Sequence, residues 1–161
     1  MFHVPPNRDL LAAIGEVTLR HEHLNHILKM TIKSIANLNP AEAIDATKYD
    51  GSYTLRQRIR KLARKKLGEG APLLKLQALL TRAERLTEQR NELTHGLWAE
   101  ELDGDPRIMR APGKLSPIPS IEELEHLSKE IEALTIELNS ARLEGFLKSA
   151  LEEKQTHENI A

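Results

Sequence analysis

Cysteine is absent from the 161 residues, which removes disulfides, thiolate nucleophiles and cysteine-ligated metals from consideration. Aromatic residues are almost as scarce: Phe2, Tyr49, Tyr53, Trp98 and Phe146 are the whole set. So few rings disfavour the extensive base stacking by which some proteins hold single-stranded nucleic acid. No stretch approaches the roughly 20 apolar residues of a membrane span, and the opening Met1-Phe2-His3-Val4-Pro5-Pro6 does not read as a signal peptide. A soluble, cytoplasmic protein is the expectation. Gly-rich phosphate loops and serine-nucleophile motifs are also missing.

What is present is one domain's worth of ordinary globular composition, 40% apolar and 29% charged. The domain spans 1–161, with an ordered core over about 7–151 and a tail expected to fray after Leu151. The net charge of −1 conceals an uneven distribution. Residues 54–90 carry eleven Lys and Arg against three Glu, whereas residues 119–161 carry four against ten. A polyanion is drawn to the first region and repelled by the second, although solvated faces that pair with each other explain the same pattern.

Hydrophobic periodicity predicts an all-α chain: an antiparallel four-helix bundle with a short extra helix, and a long loop or hairpin between the third and fourth main helices. Asn7 is placed to cap a first helix whose stripe runs Leu10, Ile14, Val17, His21, Leu24, Leu28, Thr31 and Ile35. His21 reads as a core histidine. Asn39-Pro40 opens the short helix, and a basic helix follows from Tyr53 to Leu67, stopped by Gly68. Arg56, Arg58, Arg60, Lys61, Arg64 and Lys65 are expected to face outward there, as the surface for a phosphate backbone. A third helix starts at Gly70-Ala71-Pro72. Beyond Leu97 the period fails, and Asp103-Gly104 resembles a hairpin turn, with a plain long connection the preferred expectation. Ser120 and Glu123 form a capping box for the fourth helix, striped by Leu124, Leu127, Ile131, Leu134, Leu138 and Ala141.

The third helix ends in Arg90-Asn91-Glu92-Leu93-Thr94-His95. Arg90 lies on the apolar stripe of Leu76, Leu79, Ala83, Leu86 and Leu93. A guanidinium in that position requires a carboxylate, a water-filled cleft or an anionic ligand. His95 lies about 140° around an ideal helix from Arg90, so a frayed last turn at Gly96 or a two-fold dimer is needed to bring the two together. Fixed positive charge beside a group that titrates near neutrality suits phosphodiester chemistry.

Arg90-Asn91-x-x-x-His95 late in a helix of a small helical chain resembles the HEPN superfamily motif of an arginine, a polar residue, a short spacer and a histidine. The resemblance implies a metal-independent endoribonuclease of the kind found among toxins and in abortive-infection and CRISPR defence, working as a homodimer on RNA. Arg90 and His95 would be catalytic and Asn91 supporting. It implies no cofactor and no metal; a protein antitoxin is a possible partner. Many members of the superfamily are non-catalytic modules that bind nucleotide, RNA or protein, and that alternative stays open. So does a purely structural role in which Arg90 pairs with Glu16 or Glu22.

Two metal patterns compete. His21 and His26 are five apart rather than the four a zinc-protease helix uses, and they splay. Glu92-x-x-His95 and Glu123-x-x-His126 match the element of di-iron bundles, but both pairs are expected to point away from the core.

Overall fold

The computed structural model describes residues 7–99, 107–111 and 114–158. Helices dominate, and a small antiparallel sheet joins them. Helix α1 spans Arg8–Ala36, α2 Pro40–Ala46, α3 Ser52–Leu67 and α4 Ala71–His95. Strands β1 (Leu97–Ala99), β2 (Arg107–Ala111) and β3 (Lys114–Pro117) follow, then α5 (Ile121–Leu143) and α6 (Phe146–Glu158).

Each boundary has a local cause. Asn7 Oδ1 accepts the backbone N–H groups of Asp9 and Leu10, at 3.0 and 3.2 Å, which satisfies two donors that the first turn of α1 leaves free. Asn39 with Glu42, and Ser120 with Glu123, close reciprocal capping boxes at the starts of α2 and α5. Gly68 ends α3 at φ 69°, a conformation that side chains with a Cβ rarely adopt. The fourth predicted helix is interrupted: α5 stops at Leu143, the Gly145 amide bonds back to the Ser140 carbonyl at 2.9 Å, and the chain restarts as α6. It stays helical to Glu158, past the point where the apolar stripe ends.

One hydrophobic cluster unites the elements. Val17, Leu24, Leu28 and Ile32 of α1 meet Leu55 and Ile59 of α3, Leu76, Leu80 and Leu86 of α4, and Ile131, Leu134 and Leu138 of α5 in this cluster, all buried. Helix α1 packs on α3, α4 and α5, and α6 closes against α3, α4 and α5.

The segment after α4 departs from the plain connection expected. Strand β2 pairs antiparallel with β1, Trp98 opposite Ile108, and with β3, Ile108 opposite Ser116, in the order β1-β2-β3. The turn at Asp103-Gly104 lies outside the described residues. Two contacts fasten the sheet to the end of α4: Trp98 Nε1 donates to the Leu93 carbonyl at 2.9 Å, and Ile108 is buried in the core. Gly96, expected to end the helix in a left-handed conformation, instead is extended at φ −66°, ψ 141°. Glycine is needed there for space: a Cβ would fall inside contact distance of both the Glu92 carbonyl oxygen and Ile108 Cγ2.

Candidate functional site

Arg90 lies on the inner side of α4, as its stripe position requires, and its side chain is 14% exposed. Its Nη2 donates to Glu22 Oε1 of α1 at 3.0 Å, and its Nη1 to Asn91 Oδ1 at 3.0 Å. Its Nε is buried with no hydrogen-bond partner among the described residues. Glu22, one of the two carboxylates the sequence offered for this arginine, is therefore the one that meets it.

Behind this pair lies a buried polar cluster where α1, α3 and α4 meet. His21, 1% exposed, approaches Thr87 Oγ1 through Nε2 at 3.1 Å. Thr87 has one proton, and its hydroxyl donates it to the Ala83 carbonyl at 2.7 Å. Thr87 must therefore accept from His21, so the imidazole carries its proton on Nε2 and leaves Nδ1 as a bare lone pair. That Nδ1 has no hydrogen-bond partner among the described residues, and Glu22 Oε1 is 3.8 Å away. Burial lowers the His21 pKa from 6.5 to about 4; the charges of Arg90 and Arg56 add to the effect, and Glu22 opposes it. The histidine is neutral at physiological pH, a core histidine as its position on the stripe suggested.

Arg56 corrects the sequence reading most directly. It was expected to point outward with the basic face; instead it is 3% exposed and donates through Nη1 to Thr87 Oγ1 at 3.2 Å. Burial lowers its pKa, partly offset by Glu84. Its nearest carboxylate contact, Glu84 Oε1, is 3.9 Å away, and the other Glu84 oxygen holds Arg60 at 3.0 Å. Arg58 is likewise committed, to Asp50 at 2.5 Å and to the Ala46 carbonyl at 2.7 Å. Lys61, Arg64 and Lys65 remain as exposed cations, and with Gln57 and Arg60 they line a shallow groove on α3. The positive face is real but narrower than the count of basic residues implied.

His95 takes the last position of α4 and is exposed. It lines a shallow hollow with Glu88, Asn91, Glu92 and Gly96. Arg90 does not line that hollow. Asn91 is the link between the two: its Oδ1 accepts from Arg90, and the residue borders the hollow beside His95. A larger hollow, about 770 Å³, shares Glu92 with it and is bordered also by Glu122, Glu123, Glu125 and Glu130 with His126 and Lys129. Its carboxylates make it repellent to a polyanion.

The metal patterns do not converge. His21 points inward, His23 and His26 outward, and His126 is exposed at 76% of its side chain. Among the described residues no group of three His, Asp or Glu side chains comes together to hold a metal ion. No helix among them is long and apolar enough to cross a membrane.

The cluster extends to Ser52, whose hydroxyl lies 3.5 Å from His21 Nε2 and donates to Asn25 Oδ1; Asn25, Ser52, Arg56 and Thr87 were not assigned to it from the sequence. The signal existed for two of them. Arg56 precedes Ile59, Ala63 and Leu67 by three, seven and eleven residues, and Thr87 follows Ala83 by four, so both fall on buried faces. No family model, curated protein or solved structure matches the chain.

Proposed function

We propose that the protein is a HEPN-type metal-independent endoribonuclease, with α1, α3, α4 and α5 as the four helices of the bundle and two chains forming one catalytic cleft. His95 moves the proton of the 2′-hydroxyl attack, Arg90 holds the phosphate and its developing charge, and Asn91 orients Arg90. The observation that carries the reading is Asn91's double position, hydrogen-bonded to the mostly buried Arg90 and bordering the hollow that His95 lines. A toxin or defence role, held by a protein antitoxin, is the biological setting the motif suggests.

The position of the two motif residues supports the two-chain cleft. Within one chain Arg90 turns toward α1 and His95 toward solvent, so a second copy is needed to bring a histidine to each arginine. The outer face of α1 suits that contact: Leu11 and Leu19, 41% and 65% exposed, flank Gly15, which has open space around it. That exposed face continues along α1 to Glu22, the partner of Arg90.

A specific observation favours a second reading, a purely structural bundle: Arg90 pairs with Glu22, as that alternative expects, so the guanidinium is satisfied in part without substrate. The two readings separate on one assay. The nuclease reading expects purified protein to cleave RNA in excess EDTA, with Arg90→Ala and His95→Ala each inactive while folded. Cleavage that survives either substitution would sink it.

A further inference from the structure

Glu22 stands where an anionic ligand of Arg90 would stand. Its Oε1 accepts from Arg90 Nη2 at 3.0 Å and from the Asn25 side-chain amide at 3.2 Å. One oxygen held between a guanidinium and an amide reproduces the donor set that proteins offer to a phosphate oxygen. The orientation of Asn25 is fixed from behind, because its Oδ1 accepts the Ser52 hydroxyl and so its NH₂ faces Glu22.

The pair is asymmetric in burial: Arg90 is 14% exposed and Glu22 57%. The carboxylate can turn into water without opening the core. Arg90 cannot follow, since its stem lies in the helix seam and its Nη1 is held by Asn91. Departure of Glu22 leaves a mostly buried cation whose Nε also lacks a partner among the described residues, an arrangement that favours a replacement anion.

We infer that Arg90 Nη2 and Asn25 Nδ2 form a phosphodiester subsite and that Glu22 is its built-in competitor, displaced when an RNA backbone phosphate binds. The identity of the ligand as RNA rests on the nuclease reading above; the subsite itself requires no cleavage. Because the diester binds only molecules in which Glu22 has swung away, the apparent affinity is reduced by that open fraction. Glu22 thus sets how strongly the site takes phosphate.

The test is an NMR titration of the full ¹⁵N-labelled chain with a 2′-O-methyl dinucleotide, which has an internal diester and no attacking hydroxyl. The Arg90 Nε–H and Asn25 side-chain amide signals report the site. Glu22→Gln is expected to bind roughly three- to tenfold more tightly than wild type, the factor by which an open fraction of a third to a tenth would rise. Glu22→Ala should do the same, which excludes an effect of the new glutamine amide. Adding Asn25→Ala to Glu22→Gln should reverse most of the gain. Equal or weaker binding by both folded Glu22 variants overturns the inference, and tightening for inorganic phosphate but not for the dinucleotide overturns its diester assignment. An inactive wild type whose Glu22 variants bind the diester more tightly would end the nuclease reading and leave the subsite standing. RNA cleavage that depends on Arg90, with no effect of Glu22→Gln on binding, would end the subsite alone.

Discussion

His21 couples the buried cluster to pH. Its folded pKa, about 4, lies below the unfolded value of 6.5, so the unfolded chain takes up the proton first. Stability from this residue is complete above about pH 6.5 and is lost as pH falls toward 4, to a total of about 3 kcal/mol. Denaturant unfolding between pH 7.5 and 4 should show that decline, and His21→Leu should flatten it; a wild-type profile already flat from pH 6.5 to 4 would contradict the account. The residue was legible because it interrupts an apolar stripe. Its partners were less so: the proximity of Thr87 to Arg56 depends on how α3 meets α4, and one-dimensional periodicity does not register that. The basic residues of α3 show the same limit, since Arg58 and Arg60 are taken up by Asp50 and Glu84, which no helix-face argument couples to them.

At the scale of elements, the junction of α4 and β1 fixes His95. Trp98 bonds back to Leu93, Ile108 packs under Gly96, and no Cβ fits between that glycine and the Glu92 carbonyl. Gly96→Ala should therefore destabilise the fold by about 1–3 kcal/mol through overpacking, although its backbone angles suit any residue. Thermal unfolding measures it, and an unchanged midpoint would show that the junction yields more easily than its packing implies. Helices α1, α3, α4 and the start of α5 were readable because each carries a long apolar stripe bounded by a capping residue, a glycine or a proline, and α2 because Asn39-Pro40 opens it. The sheet was readable only in part: Asp103-Gly104 suggested a hairpin, and β1 and β2 do pair antiparallel, but a plain connection was preferred and β3 was not expected. Its strands run three to five residues, too short for alternation to declare itself, and what makes them strands is pairing with each other and the anchorage of Ile108. The split between α5 and α6 was hidden for a related reason, since inward residues continue on both sides at Ala141, Leu147 and Ala150.

At the scale of the whole molecule, the account needs two chains. Leu11, Gly15 and Leu19 line an exposed face of α1 that ends beside the Arg90–Glu22 pair. Leu19→Glu, which puts a charge in the middle of that face, should convert a dimer to a monomer with little change in helix content, as read by light scattering and circular dichroism. A variant that stays dimeric would place the interface elsewhere. The uneven charge acts at this scale too: on the proposed function, RNA would be drawn to the side bearing Lys61, Arg64 and Lys65 and turned from the carboxylates of α5. The seam position of Arg90 was legible in the sequence, whereas the choice of Glu22 over Glu16 as its partner became clear only when α1 was laid against α4. The central claim is tested most directly by incubating a mixed-sequence RNA with purified protein in excess EDTA, wild type beside His95→Ala, with molar mass measured on the same samples. The account predicts cleavage by the wild type alone, with both proteins dimeric; an intact RNA in the presence of a well-folded wild-type dimer would contradict it.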